Sequence, residues 1–200
     1  MHIGIVLFDD VELLDMAGPY EVFTTAARLH AREAGPGAPP LFTVSTLACN
    51  TAPVRARAGL RLQPDHTLAS HPPLACALVP GGVVDAELHN TALLAWIQAQ
   101  AGGAQILASV CTGSLLLAQA GVLDGRAATT HWEDLDVLRA LRPAVAVREG
   151  VRWVDEGVLV TSAGISAGID MALHLVQRLH SRALAERTAR QMDFDWSENA

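Results

Sequence analysis

Short apolar runs alternate along this chain with segments whose apolar residues recur at helical spacing. His2–Phe8 (HIGIVLF) is the first strand-like run. Asp9 and Asp10 follow it, and Gly18-Pro19 then reads as the opening of a helix over Tyr20 to Arg32. Ala34–Pro40 is a loop by composition, and Leu41–Ala48 predicts the next strand. Val54–Leu62 (VRARAGLRL) alternates apolar with basic residues, which predicts a half-exposed strand pair or hairpin at an edge. Leu74–Pro80 is apolar almost throughout, as a central parallel strand covered on both faces should be, and it ends in Gly81-Gly82.

The second half continues the alternation. Thr91 to Gly102 predicts a helix and Ile106–Val110 a buried strand, with a helix over Thr112–Ala120 directly after it, closed by Gly121. Arg126–Thr130 reads as a short strand and Glu133–Leu141 as a helix stopped by Pro143. Val145–Val147, Val151–Val154 and Val158–Ser162 predict a small meander around Glu149-Gly150 and Glu156-Gly157 turns. A last long helix is expected from Ala167 to about Met192. Repeated β-α-β crossovers with continuous apolar strands predict an α/β fold: a doubly wound, mostly parallel sheet with helices on both faces. No repeat or linker divides the chain, so one domain over residues 1–200 is expected.

Composition narrows the setting. Two hundred residues, 50% of them hydrophobic, suffice for one sizeable core. The formal net charge of −7 argues against a general affinity for nucleic acid or for anionic membrane. No apolar run is long enough to span a bilayer, and His2–Phe8 lacks the flanks of a signal peptide. The 3 cysteines have irregular spacing without CxxC, which suggests neither a disulfide framework nor a zinc site, and a cytoplasmic setting is the expectation.

Ligands of open α/β sheets bind beyond the carboxyl ends of the strands. Four such ends carry chemistry here: Asp9–Asp15, Gly81-Gly82, Cys111 and Thr129–His131. Cys111 falls between a buried strand and a helix, the position of a nucleophile elbow, and a helix N-terminus is expected to lower a thiol pKa. Position alone leaves it open whether Cys111 is reactive or a structural core thiol. Cys76 reads as core and Cys49 as a surface or half-buried thiol. Asp15 is either a helix cap or a carboxyl whose pKa is raised by desolvation so that it can donate a proton. His131, beside Trp132, is a secondary candidate for a base or substrate contact. His66 and His71 lack metal-ligand spacing and company, so no metal is expected. GxGxxG and GxxxxGK[ST] are both absent, and Gly81-Gly82 reads as a turn needing close backbone approach.

Taken together, four motifs point to a family. Val79-Pro80-Gly81-Gly82, Ser109-Val110-Cys111-Thr112-Gly113-Ser114, Ala128-Thr129-Thr130-His131-Trp132 and Gly164-Ile165-Ser166-Ala167-Gly168-Ile169-Asp170 stand in the order and spacing of the PfpI/ThiJ superfamily. From His2 to about Phe194 the chain resembles, within it, the isonitrile hydratases. The resemblance implies a flavodoxin-like, class I glutamine amidotransferase-like fold. It implies Cys111 as nucleophile, Asp15 as its catalytic partner, and Thr112 as the residue that follows the nucleophile. The backbone N–H groups of Thr112 and Gly82 would hold developing negative charge, and His131 matches a frequent family histidine. The implied reaction turns a small uncharged isonitrile into an N-substituted formamide through a cysteine thioimidate, without a cofactor, and homodimers are usual. The same family allows a glyoxalase, deglycase or amidase-like activity, or a redox or stress sensor whose Cys111 is oxidised. It also allows a non-catalytic ligand-sensing domain like the N-terminal half of AraC-type regulators. Those regulators continue into a helix-turn-helix region, for which 200 residues are expected to leave no room.

Overall fold

The first strand, β1 (His2–Val6), is buried from Ile3 onward and lies in the middle of the sheet, as its unbroken apolar run requires. A computed structural model describes residues 1–199. After β1 come α1 (Leu13–Ala34), β2 (Thr43–Ala48), the short strands β3 (Val54–Arg55), β4 (Arg61–Leu62) and β5 (His66–Thr67), and then β6 (Cys76–Val79). The chain continues through α2 (Thr91–Gly103), β7 (Ile106–Val110), α3 (Gly113–Gln119), β8 (Ala127–Ala128), α4 (Leu135–Leu141) and β9 (Ala146–Val147). It closes with β10 (Trp153–Glu156), β11 (Leu159–Ser162), α5 (Ala167–Leu179) and α6 (Arg182–Gln191).

Seven strands form the main sheet in the order β10-β11-β7-β6-β1-β2-β5. All neighbours run parallel except β10 and β11, an antiparallel hairpin at one edge. The chain leaves β1 toward β2 on one side and later returns to β6 on the other. The carboxyl ends of β1 and β6 therefore flank the switch point where such sheets place their ligands. Helices α1, α5 and α6 pack against one another as one layer, and α2, α3 and α4 form a second. The sheet is a doubly wound α/β arrangement, as the alternating pattern predicts. Among the described residues no helix is long and apolar enough to cross a membrane.

Several boundaries differ from those read off the sequence, each for a packing reason. Helix α1 starts at Leu13 rather than Tyr20, and Pro19 lies inside it. Its first turns bury Asp15, Met16, Gly18 and Pro19, and that burial outweighs the bond lost at the proline. The terminal helix is two helices. The chain breaks at His180 (φ −139°, ψ −77°), and Ser181 starts α6 by accepting the Leu184 N–H on its side chain at 3.2 Å. The Val54–Leu62 hairpin is not at an edge of the main sheet. It is a separate two-residue ribbon tied to the end of β1, where the Asp10 N–H donates to the Arg55 carbonyl at 2.7 Å. The expected three-strand meander is only the β10–β11 hairpin, because β9 pairs with β8 instead. Beyond α6 the chain returns to the β10 edge. Asn199 Oδ1 accepts the Arg152 N–H at 2.8 Å and the Trp153 N–H at 3.2 Å.

Candidate active site

Three strand ends meet at the site. The segment after β1 bridges to the segment after β6: Val11 pairs with Gly82, the Glu12 N–H donates to the Gly81 carbonyl at 2.9 Å, and the Val83 N–H donates to the Asp10 carbonyl at 3.1 Å. This bridge sets where α1 begins, about two turns before Tyr20, and so carries Asp15 under the Gly81-Gly82 turn. A side chain on Gly81 would stand 2.6 Å from the Thr112 nitrogen and 2.9 Å from Asp15 Oδ2, so the close backbone approach read from the sequence is present.

Asp15 is fully buried, and it does not cap its helix. Its Oδ2 instead accepts the Gly81 N–H at 3.0 Å from across the sheet, while Oδ1 has no hydrogen-bond partner among the described residues. Burial raises the carboxyl to about 7. The Glu12 charge adds to that rise, and the bonds from Gly81 and the Cys111 thiol oppose it.

Cys111 follows β7 directly and has φ 56°, a left-handed conformation that costs a non-glycine residue about 1–3 kcal/mol. The surroundings hold it there. Its N–H reaches the carbonyls of Ser162 (3.2 Å) and Ala163 (3.3 Å), and its own carbonyl accepts the hydroxyls of Thr130 (3.0 Å) and Ser114 (3.1 Å). The sequence suggests a depressed thiol pKa, but burial first and the Asp15 charge second push Cys111 up to about 12. The N–H groups of Thr112 and Ile165 bond to the sulfur and oppose the rise without overcoming it, and the Asp134 charge adds to it. The helix that follows, α3, is only seven residues long, and Cys111 is 7% exposed, so desolvation outweighs the helix dipole here.

Of the two backbone donors assigned to developing charge, the Thr112 N–H points at the sulfur. The Gly82 N–H is donated to Thr112 Oγ1 at 2.9 Å, and the same hydroxyl donates to the Gly82 carbonyl at 3.0 Å. His131 caps a short 3-10 turn, accepting the Glu133 N–H on Nδ1 at 3.3 Å. Carboxylate oxygens of Glu133 and Asp134 lie 3.6 Å from the same nitrogen. Sequence reasoning assigns no role to Thr130 or to the Ile165 N–H, although both lie in motifs it singles out.

A cavity of about 430 Å³ opens over Cys111 and Thr112, with apolar walls from Val84, Leu88, Leu115, Val137 and Ile165, and with His131 at its side. Four carboxylates line it, Glu12, Asp85, Glu133 and Asp134, against one guanidinium, Arg57. Arg57 and Glu12 stand 3.5 Å apart, which leaves the mouth negative. Cys76 is buried in the core, and Cys49 is exposed beside a separate cavity of about 220 Å³. Among the described residues no group of three or more His, Cys, Asp or Glu is arranged to hold a metal ion.

The profile of the DJ-1/PfpI family matches residues 1–178. An isonitrile hydratase of Pseudomonas putida is 37% identical over 195 residues, which covers 97% of this chain and 78% of that protein. The HTH-type transcriptional regulator GbdR of Pseudomonas aeruginosa is 35% identical over 183 residues. That match covers 92% of this chain and 48% of the regulator, so the chain spans about half its length. Among solved structures, a THiJ/PfpI family protein from Pseudomonas syringae superposes with a TM-score of 0.83 at 27% identity, covering 97% of this chain and 75% of that one. Drosophila melanogaster DJ-1beta, at 18% identity, has the same fold with a TM-score of 0.83 and 98% coverage of each chain.

Proposed function

The chain belongs to the DJ-1/PfpI family, and from that premise we propose that it is a cysteine-dependent hydratase converting a small uncharged isonitrile to an N-substituted formamide. The observation that carries this reading is the buried Cys111–Asp15 pair. The Asp15 carboxyl is held near 7, and the thiol beside it is held well above that. Above about 7 the pair keeps one proton, on sulfur, and the Asp15 carboxylate is the adjacent base that receives it as the sulfur bonds to carbon.

The Cys111 sulfur bonds to the terminal carbon of R–N≡C as its proton passes to the Asp15 carboxylate. The attack leaves an electron pair on that same carbon, which takes the proton back from Asp15 and gives the thioimidate R–N=CH–S. Water then adds to the thioimidate carbon, with its proton relayed through Asp15 to nitrogen. The C–S bond of the tetrahedral adduct breaks, the hydroxyl proton returns to sulfur, and R–NH–CHO leaves. The Thr112 and Ile165 N–H groups on the sulfur stabilise the negative charge that gathers there during attack and departure. Apolar walls suit the substituent R, and the carboxylates at the mouth disfavour an anionic one.

A second reading is a ligand-sensing domain without turnover, favoured by the 35% identity to a transcriptional regulator over 92% of this chain. One assay separates the two. The protein is incubated with an aliphatic and an aromatic isonitrile and formamide is followed, with Cys111→Ala and Asp15→Asn in parallel. Turnover abolished by Cys111→Ala and strongly reduced by Asp15→Asn is the expected result. Isonitrile binding without formamide supports the sensing reading, and turnover that survives Cys111→Ala overturns the mechanism.

A further inference from the structure

The motif Gly164-Ile165-Ser166-Ala167-Gly168-Ile169-Asp170 enters the chemistry as written only through the Ile165 N–H, yet its turn forms a wall of the cavity over Cys111. Its turn carries Ile165 at φ 45°, a left-handed conformation unfavourable for a β-branched residue, and this conformation aims the Ile165 N–H at the Cys111 sulfur. The two residues just before it, Ser162 and Ala163, supply the carbonyls that receive the Cys111 N–H. Gly164 lets the turn lie against His131, since a side chain there would overlap the imidazole ring. A turn strained at this point needs something to hold it.

Arg152 grips it from both ends. Its carbonyl accepts the Ala163 N–H at 2.9 Å, at the start of the turn. Its guanidinium reaches Ser166 Oγ at 3.4 Å and bonds Asp170 Oδ2 through both Nε (2.8 Å) and Nη2, at the end of the turn. Asp170 is 1% exposed, and its other oxygen is filled by the Ser197 N–H at 2.8 Å. The Arg152 N–H is fixed in turn by Asn199.

We propose that Arg152 is a positioning residue that clamps the Ala163–Ser166 turn so that the Ile165 N–H is seated on the Cys111 sulfur, where it supports the thiolate. This rests on Cys111 being the reacting thiol and is independent of which carbon that thiol attacks. A fixed N–H is worth more to a forming anion than a mobile one, because no reorganisation is needed at the moment charge appears.

The test is the rate of Cys111 alkylation by iodoacetamide between pH 6 and 10, in a Cys49→Ala background because Cys49 is exposed and Cys76 is buried. Arg152→Met and Ser166→Ala are compared with the parent. Ser166→Ala removes only the outer contact and keeps the Asp170 pair, so it serves if Arg152→Met does not fold. The expected result is slower alkylation across the whole pH range, about tenfold for Arg152→Met and less for Ser166→Ala, as the loss of a hydrogen bond to a charged group requires. Arg152→Lys should recover part of the rate through one remaining bond to Asp170. A variant that had merely loosened the fold would expose the thiol and alkylate faster, so the sign separates the two roles. An unchanged or faster rate in folded Ser166→Ala and Arg152→Met overturns the clamp. A parent protein in which Cys111 resists alkylation at every pH overturns the reactive-thiol reading itself.

Discussion

The Gly81 N–H donates to Asp15 Oδ2 at 3.0 Å from 66 positions along the chain, and among the described residues it is the one backbone donor that holds this buried carboxyl. With Oδ1 unpartnered among the described residues, the bonds from Gly81 and the Cys111 thiol do not offset the loss of hydration, and the balance falls toward the protonated form. The acid is therefore poised by subtraction: a further donor would pull it back toward an ordinary carboxylate.

The first consequence is a pH profile. Below about 7 the pair holds two protons, on thiol and carboxyl, and the carboxyl cannot receive the thiol proton. Formamide production, measured as kcat/KM for a non-titrating isonitrile, should rise with pH through about 7 and then stay level to the limit of protein stability. Asp15→Asn should remove this inflection along with most of the rate.

A second follows from linkage. The folded-state pKa of Asp15 lies above the ordinary carboxyl value of 3.8, so between about 4 and 7 the folded protein binds the proton more tightly than the unfolded chain does. The contribution of this group to stability is thus present at low pH and is lost as pH rises through about 7. Asp15→Asn keeps an acceptor for Gly81 and never ionises. It should be more stable than the parent at pH 8, by about 2–4 kcal/mol in urea unfolding, with the difference shrinking toward pH 4. A variant less stable than its parent at pH 8 would contradict the assigned burial cost.

The negative mouth gives a third. In the Cys49→Ala protein, a methanethiosulfonate carrying trimethylammonium should label Cys111 about tenfold faster than one carrying sulfonate at low ionic strength. The ratio should fall in 0.5 M salt, where exposed charges are screened, and should narrow with Asp134→Asn. Equal rates for the two reagents at low salt would remove charge from the account of substrate choice.

Gly81→Ala supplies a fourth. The added methyl has no space between Thr112 and Asp15, and both neighbours are buried or backbone atoms that cannot swing away. A loss of about 1–3 kcal/mol in stability is expected, as for overpacking elsewhere; displacing the Gly81 N–H from Asp15 should also shift the turnover inflection upward from about 7. Unchanged stability and turnover would mean that the turn is looser than its contacts imply.

Much of this layout is legible in the chain. The run ILASV ending at Val110, with Gly113 and a helical pattern just after, places Cys111 at a strand-to-helix turn because a buried parallel strand needs an unbroken apolar run. Glycines after LACALVP mark the close approach beside it. What the sequence does not carry are quantities set by distant segments. The start of α1 depends on a bridge between Val11 and Gly82, and local propensity places it at Tyr20 instead. The direction of the thiol pKa depends on how deeply Cys111 sinks and on Asp15, 96 residues earlier in the chain. A helix N-terminus read locally gives the opposite sign. Arg152 belongs to no motif, and its grip appears only when β10 and α5 are brought together.

The Asn199 side chain has a consequence of another kind. Strand β10 is the outer edge of the sheet, where free N–H and carbonyl groups invite a strand from a second molecule. Asn199 takes the N–H groups of Arg152 and Trp153 on its carbonyl oxygen and gives its amide hydrogen to the Trp153 carbonyl. One primary amide thus stands in for a neighbouring strand at the head of β10, and sheet-to-sheet growth is refused where that edge begins.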